Sequence, residues 1–229
     1  MLKIYSHPRS GTHFLEAFIA ENFYPEEDLS EKKIDWGHWS NRKTKDCNPY
    51  GQLFGNHKFP SKRLNRYSWK PKLYIYRDGR SVAYSIYKTP NFLNSEMSKL
   101  SFSEFLREPL DWWGTPGTKN KTHNKLSIIE HWALHIAEWH HSNENIVLIK
   151  YEDLVDYPED IYRKIRNRCF PRLVFNEVVL NHKHCVKKIN KPTGLLPNKA
   201  IKNSWTEVFS EQDLKFFNQK TPEWLRSKF

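Results

Sequence analysis

Cysteine is scarce: the chain holds only Cys47, Cys169 and Cys185, widely spaced and without a C-x-x-C pair. Neither a disulfide framework nor a thiolate metal site is expected from such a set. No apolar run approaches the roughly 18 residues of a membrane span, and the first residues carry no charged-then-apolar leader pattern. The expectation is a soluble, cytoplasmic protein with no membrane association. Zinc-finger, RRM and helix-turn-helix signatures are also missing, which weakens a nucleic-acid partner. Acidic residues are the minority charge, 26 against 37 Lys and Arg, giving a formal net charge of +11 and a pI near 9.4. Such a chain carries a positive field that attracts polyanions, a multiply phosphorylated nucleotide included. At 229 residues, with 38% hydrophobic and 15% aromatic content, residues 1–229 suit one globular α/β domain.

The stretch around which the rest is organised comes first. Leu2 to Tyr5 form a short apolar strand, and Phe14, Leu15, Phe18 and Ile19 recur at helical spacing, so His7-Pro8-Arg9-Ser10-Gly11-Thr12 is a strand-to-helix turn. That turn suits an anion. Gly11 allows close backbone approach, Ser10 and Thr12 offer hydroxyls, the first helical turn offers unpaired N–H groups, and Arg9 adds a fork of donors. With a single glycine and no Lys-Ser/Thr pair it is not a Walker A loop. An ordinary capped helix start, with Thr12 or Ser10 as cap and Glu16 as capping-box partner, would use the same residue types.

A second strand ends at Leu53-Phe54-Gly55-Asn56-His57-Lys58-Phe59-Pro60. In an open α/β sheet the carboxyl ends of the strands line the ligand crevice, and a histidine there can take a proton from a substrate hydroxyl. The clearest strand is Lys72–Tyr76, followed at once by Arg77-Asp78 and a helix marked by Val82, Ala83, Ile86 and Tyr87. Asp78 can cap that helix. Ser85 lies about two turns on, so that Arg77 and the Ser85 hydroxyl can share one phosphate.

Farther along, Leu126, Ile129, Trp132, Ile136 and Trp139 mark an amphipathic helix over 124–142. His131 and His135 fall on it four apart, but H-W-A-L-H lacks the Glu of H-E-x-x-H and no third ligand is evident. They are expected on the helix surface, and no metal is expected. Asn145–Lys150 is a buried parallel-type strand, followed by Tyr151-Glu152-Asp153-Leu154 and then a helix entered at Tyr157-Pro158. Residues 89–124, which carry Trp112-Trp113 between polar flanks, suit an acceptor-side lid, and 182–202 a basic loop closing over an anion. Residues 212–228 suit amphipathic closing helices.

In order, these segments resemble the sulfotransferases that use 3′-phosphoadenosine 5′-phosphosulfate (PAPS). Pro8-Arg9-Ser10-Gly11-Thr12 resembles their 5′-phosphosulfate loop. Arg77 with Ser85 resembles their 3′-phosphate site, His57 the histidine base of their His-x-Pro segment, and Tyr151-Glu152-Asp153-Leu154 a third family segment whose Tyr lies near the adenine. Here two residues separate His57 from Pro60, and Asn198 stands at the family's arginine in the late basic loop. The resemblance implies a P-loop-like α/β fold with a central parallel sheet flanked by helices. It implies sulfuryl transfer from PAPS to a hydroxyl or amine of a small-molecule or carbohydrate acceptor, without metal. His57 and Arg9 would be catalytic; Arg9, Ser10, Gly11, Thr12, His13, Phe14, Arg77, Ser85, Tyr151 and Lys199 would hold the donor. A P-loop nucleotide kinase is the first alternative. It needs a Walker A Lys-Ser/Thr and a Mg²⁺-holding carboxylate. The second is a non-enzymatic polyanion-binding module, with binding that weakens steeply in salt.

Overall fold

The computed structural model describes residues 2–23, 53–60, 69, 71–89, 96–109, 126–171 and 202–229. Four parallel strands, β1 (Leu2–Ser6), β2 (Leu53–Asn56), β3 (Lys72–Tyr76) and β4 (Ile146–Lys150), form one sheet in the order β2-β1-β3-β4. From β1 the chain first goes outward to β2 and then returns to the other side of β1 for β3. The strand order therefore reverses between β1 and β3, and at their carboxyl ends an open parallel sheet leaves its crevice. The register pairs Ser6 with Ile75 and Tyr76 with Lys150, so those ends lie side by side.

A parallel sheet exposes two apolar faces, and both must be covered. Side chains alternate accordingly along β3: Leu73 and Ile75 enter one core, Tyr74 the other. The first core is closed by α1 (Thr12–Phe23), α5 (Tyr151–Asp156) and α6 (Pro158–Cys169), through Leu15, Phe18, Leu154 and Ile165. The second is closed by α2 (Gly79–Tyr87), α3 (Phe102–Arg107), α4 (Ile128–His140), α7 (Glu211–Lys220) and α8 (Glu223–Arg226), through Val82, Phe105, Trp132, Phe217 and Leu225. The expected α/β architecture, a central parallel sheet flanked by helices, is what the chain adopts. Within 89–124, a 3₁₀ turn (Met97–Lys99) and α3 are described. The rest of that expected lid, and most of the 182–202 loop, lie outside the described residues.

Helix starts follow local chemistry. Ser101 with Glu104, Ser127 with Glu130 and Ser210 with Asp213 form capping boxes on α3, α4 and α7, each satisfying backbone N–H groups that the first turn leaves unpaired. Asp78 accepts from the Arg80 N–H and caps α2, as its position after β3 predicts. Tyr151 departs from expectation: it opens a helix of its own, α5, rather than lying in a connection before one. Among the described residues no helix is long and apolar enough to cross a membrane.

Trp132 ties α4 to the end of β3. It is fully buried, donates from Nε1 to the Arg77 carbonyl at 3.0 Å, and lies flat against Gly79. A Cβ at Gly79 would stand 2.6 Å from that ring, inside contact distance of a side chain with no room to withdraw. Gly79→Ala should cost about 1–3 kcal/mol by overpacking, read as a lower urea midpoint at unchanged m-value; an unshifted midpoint would mean that the indole is not packed there.

Candidate active site

The candidate donor-site residues within the described residues gather at the carboxyl ends of the strands, around β1 and β3. The loop after β1 turns through two left-handed residues, Arg9 at φ 64° and Gly11 at φ 92°. Such a φ is uncommon for a residue with a Cβ and is held only where its surroundings enforce it. Gly11 has a second reason to be glycine, since a Cβ there would lie 2.4 Å from the Tyr151 ring. Tyr151 in turn meets Phe14 edge to face at 6.0 Å and lies under the Arg77 guanidinium at 4.5 Å. The anion loop, the start of α1, the end of β3 and the start of α5 thus meet around one aromatic ring.

The capped helix start does not form. Ser10 Oγ is buried and has no hydrogen-bond partner among the described residues, and Thr12 Oγ1 is engaged with Ser6 Oγ at 2.5 Å. Glu16, fully buried, shares a hydrogen bond between its Oε2 and His13 Nδ1 at 3.0 Å, while its Oε1 has no partner among the described residues. Burial holds the Glu16 carboxyl well above the usual carboxylate range. An orphaned hydroxyl next to a left-handed glycine at the mouth of a helix is a place for an anionic oxygen.

Arg9 does not stay over its own loop. Its Nε donates to Ser85 Oγ at 3.0 Å, across the crevice on α2. Burial, and after it the nearby Arg77 guanidinium, hold Arg9 below its ordinary pKa. Arg77 is 8% exposed. Two guanidiniums and a hydroxyl are therefore gathered where water is largely excluded, and like charges so placed repel one another. An anion between them would reverse that repulsion. The acid next to them, Asp78, is committed to the Arg80 N–H and guanidinium. Burial raises the Glu152 carboxyl, whose Oε1 accepts from the Asp78 N–H.

On the β2 side His57 follows the strand directly, as expected, and is buried at 2% exposure. Its Nδ1 lies 2.9 Å from the Ser6 carbonyl oxygen and 3.2 Å from Ser6 Oγ. A carbonyl can only accept, so Nδ1 carries a proton, and the neutral form of this ring has its lone pair on Nε2. Through Ser6, this histidine is also joined to Thr12 of the anion loop.

Beneath the loop the structure corrects one expectation. His131 and His135 are not on the helix surface but fully buried, on the face of α4 turned to the sheet, with His7 beside them. His7 Nδ1 donates to the Pro8 carbonyl at 3.0 Å and its Nε2 meets His131 Nδ1 at 3.0 Å. His135 Nδ1 meets the Tyr74 hydroxyl at 2.7 Å and its Nε2 the His57 carbonyl at 3.2 Å. Burial, then neighbouring histidines, hold His7 and His135 well below the usual imidazole value. The sequence does contain the signal: Ile128, His131, His135 and Trp139 form one row at helical spacing, so the histidines belong to the buried stripe. Among the described residues no group of three or more His, Cys, Asp or Glu is arranged to hold a metal.

The structure therefore brings together Arg9, Ser10, Gly11, Thr12, His13, Phe14, His57, Arg77, Ser85 and Tyr151. Lys199 lies outside the described residues. Ser6, His7, His131, His135 and the Glu16 carboxyl, which sequence reasoning did not assign to the site, complete its floor.

A family model described as a sulfotransferase domain matches residues 2–186. Among solved structures, mouse sulfotransferase SULT7A1 complexed with PAP superposes with a TM-score of 0.60 at 15% identity, over 96% of this chain and 81% of that one. Retinol dehydratase in complex with androsterone and inactive cofactor PAP superposes with a TM-score of 0.61 at 14% identity, over 96% of this chain and 78% of that one. At such identities the likeness concerns the fold. No curated protein matches the chain in sequence.

The buried histidines give a pH dependence. His135 is neutral in the fold, with its pKa lowered, whereas in the unfolded chain it takes up a proton near its ordinary value of about 6.5. The unfolded state then binds more protons, so this group's contribution to stability is present above about pH 6.5 and falls at about 1.4 kcal/mol per pH unit below it, until the folded value is reached. His135→Gln should flatten the dependence of the urea midpoint between pH 7.5 and 5.5; equal slopes would mean that His135 is charged in the fold.

Proposed function

Because the chain belongs to the sulfotransferase domain family, we propose that it transfers a sulfuryl group from PAPS to a hydroxyl or amine of a small acceptor, with His57 as base. The whole of 1–229 is taken as one such domain. One observation carries the proposal: Arg9 and Arg77, from separate segments, meet in one largely buried crevice, where Arg9 donates to the Ser85 hydroxyl and the two guanidiniums repel each other. The orphaned Ser10 Oγ and the bare Cα of Gly11 fit the same conclusion from the other end of the loop. Scarce cysteine, with Cys169 a free thiol, suits a reducing, cytoplasmic compartment.

The donor, when bound, supplies the sulfuryl group and a 5′-phosphate that leaves. Arg77 and Ser85 would hold its 3′-phosphate; Ser10, Gly11, Thr12, His13 and the first N–H groups of α1 would cradle the 5′ side, and Phe14 and Tyr151 would flank the base. Lys199 would add a cation from the late loop. Arg9, reaching from the loop to Ser85, is long enough to serve either phosphate, and charge placed where charge develops is the main electrostatic device of such transfers. His57 would accept the acceptor's proton on Nε2. Its Nδ1–H, fixed on the Ser6 carbonyl, sets that tautomer beforehand and stabilises the imidazolium afterwards.

The kinase alternative needs a carboxylate to hold Mg²⁺, and the acid best placed for it, Asp78, caps α2 and pairs with Arg80. A polyanion-binding module would not need a histidine with a preset tautomer.

His57→Ala should lower sulfuryl transfer by about 10²–10⁴-fold while leaving the affinity for 3′,5′-adenosine bisphosphate within a few-fold; near-normal transfer would remove the base assignment. Arg77→Ala should weaken the bisphosphate by about tenfold to a hundredfold, the loss of charge-assisted hydrogen bonds, and 5′-AMP much less. Equal weakening of both nucleotides would make Arg77 a structural residue.

A further inference from the structure

We propose that His131 and His135, one turn apart on α4, are positioning residues that hold the two halves of the site against each other: His131 supports the anion loop through His7, and His135 supports the base-bearing segment through the His57 carbonyl. The second half rests on the assignment of His57 as base; the first does not.

The direction of every proton in this layer is forced. The Pro8 carbonyl can only accept, so His7 Nδ1 donates to it and His7 Nε2 must accept from His131 Nδ1–H. The His57 carbonyl can only accept, so His135 Nε2 donates to it and His135 Nδ1 accepts from the Tyr74 hydroxyl. Two chains of hydrogen bonds result. One runs from α4 through His7 into the loop that carries Arg9 to Thr12; the other runs from Tyr74 on β3 through α4 to the peptide of His57. A neutral imidazole is the side chain that can donate from one ring nitrogen and accept at the other, on a rigid ring.

The layer is dry and packed. His7, His131, His135 and Tyr74 are 0% exposed, so a hydrogen bond lost here is not replaced by water. Phe59 closes on both α4 rings edge to face, at 5.4 and 4.6 Å, and Trp139 donates to the Lys58 carbonyl at 2.9 Å. The segment His57–Phe59 is thereby held by α4 at three successive residues. Ser6 then locks the His57 ring, but only if the His57 backbone stays where His135 puts it.

Amide substitutions separate positioning from packing, because Asn places its amide near the Nδ1 position of His and Gln near Nε2. His131→Asn keeps the donor to His7 and His131→Gln displaces it; His135→Gln keeps the donor to His57 and His135→Asn loses it. The readouts are calorimetric affinity for 3′,5′-adenosine bisphosphate, the ¹⁵N spectrum of the His57 ring, and release of the bisphosphate from PAPS with pooled phenol, alcohol and amine acceptors. His131→Gln should weaken the bisphosphate by about tenfold or more, and His131→Asn should not. His135→Asn should lose the single Nδ1–H tautomer of His57 and slow turnover by about tenfold at near-normal bisphosphate affinity, and His135→Gln should restore both. If Asn and Gln rank alike at both positions, or if affinity and turnover fall together in step with the melting temperature, the histidines serve packing alone and the proposal fails. His57→Ala, run alongside, keeps the outcomes apart. Unchanged turnover there removes the base and with it the role of His135 in turnover, while the affinity and ¹⁵N results still decide the rest.

Discussion

Arg9 and Arg77 repel each other in a crevice that water scarcely enters, and the fold holds them there by what it builds around the ends of β1 and β3. Trp132 bonds the Arg77 carbonyl and packs on Gly79, the Tyr151 ring supports the Arg77 guanidinium, and Gly11 makes room for that ring. Arg9 is carried on a left-handed backbone that a side-chain-bearing residue seldom adopts. Together these contacts hold two cations side by side, an arrangement that suits an anion. Prepared charge is worth more than charge recruited on binding, because no reorganisation is needed when the reaction proceeds.

Behind this charged front lies a layer of buried imidazoles. Burial keeps His7 and His135 neutral, so these two rings add no further repulsion to the guanidiniums above them. Its hydrogen bonds run in one direction each and end on backbone carbonyls of the loop and of His57. On the proposed reading the cations at the mouth bind, and the donor–acceptor rings beneath fix the geometry.

Much of this was legible in the sequence. Strands announced themselves as short apolar runs, α1 and α4 as periodic stripes, and the order of Arg9-Ser10-Gly11, His57, Arg77 and Ser85 carried the likeness to the sulfotransferase family that the match over 2–186 bears out. Periodicity says which face a residue occupies but not what it meets there, so His131 and His135, polar residues in an apolar row, were expected in solvent. The capped helix start at Glu16, the alternative reading of the turn, does not form for a related reason. A motif of residue types cannot show that Thr12 prefers Ser6 and Glu16 prefers His13 when strand and helix come together. Nor could spacing reveal that Arg9 leaves its own loop for Ser85, a contact made only once α2 is folded against the sheet.

The central claim is that this crevice is built for a nucleotide phosphorylated at both its 3′ and 5′ positions. Calorimetric titration of the unaltered protein with 3′,5′-adenosine bisphosphate and with 5′-AMP, both in the presence of a chelator, tests it most directly. The bisphosphate should bind at least about tenfold more tightly and without divalent metal. Equal affinities, or binding of either only when metal is restored, would contradict the account.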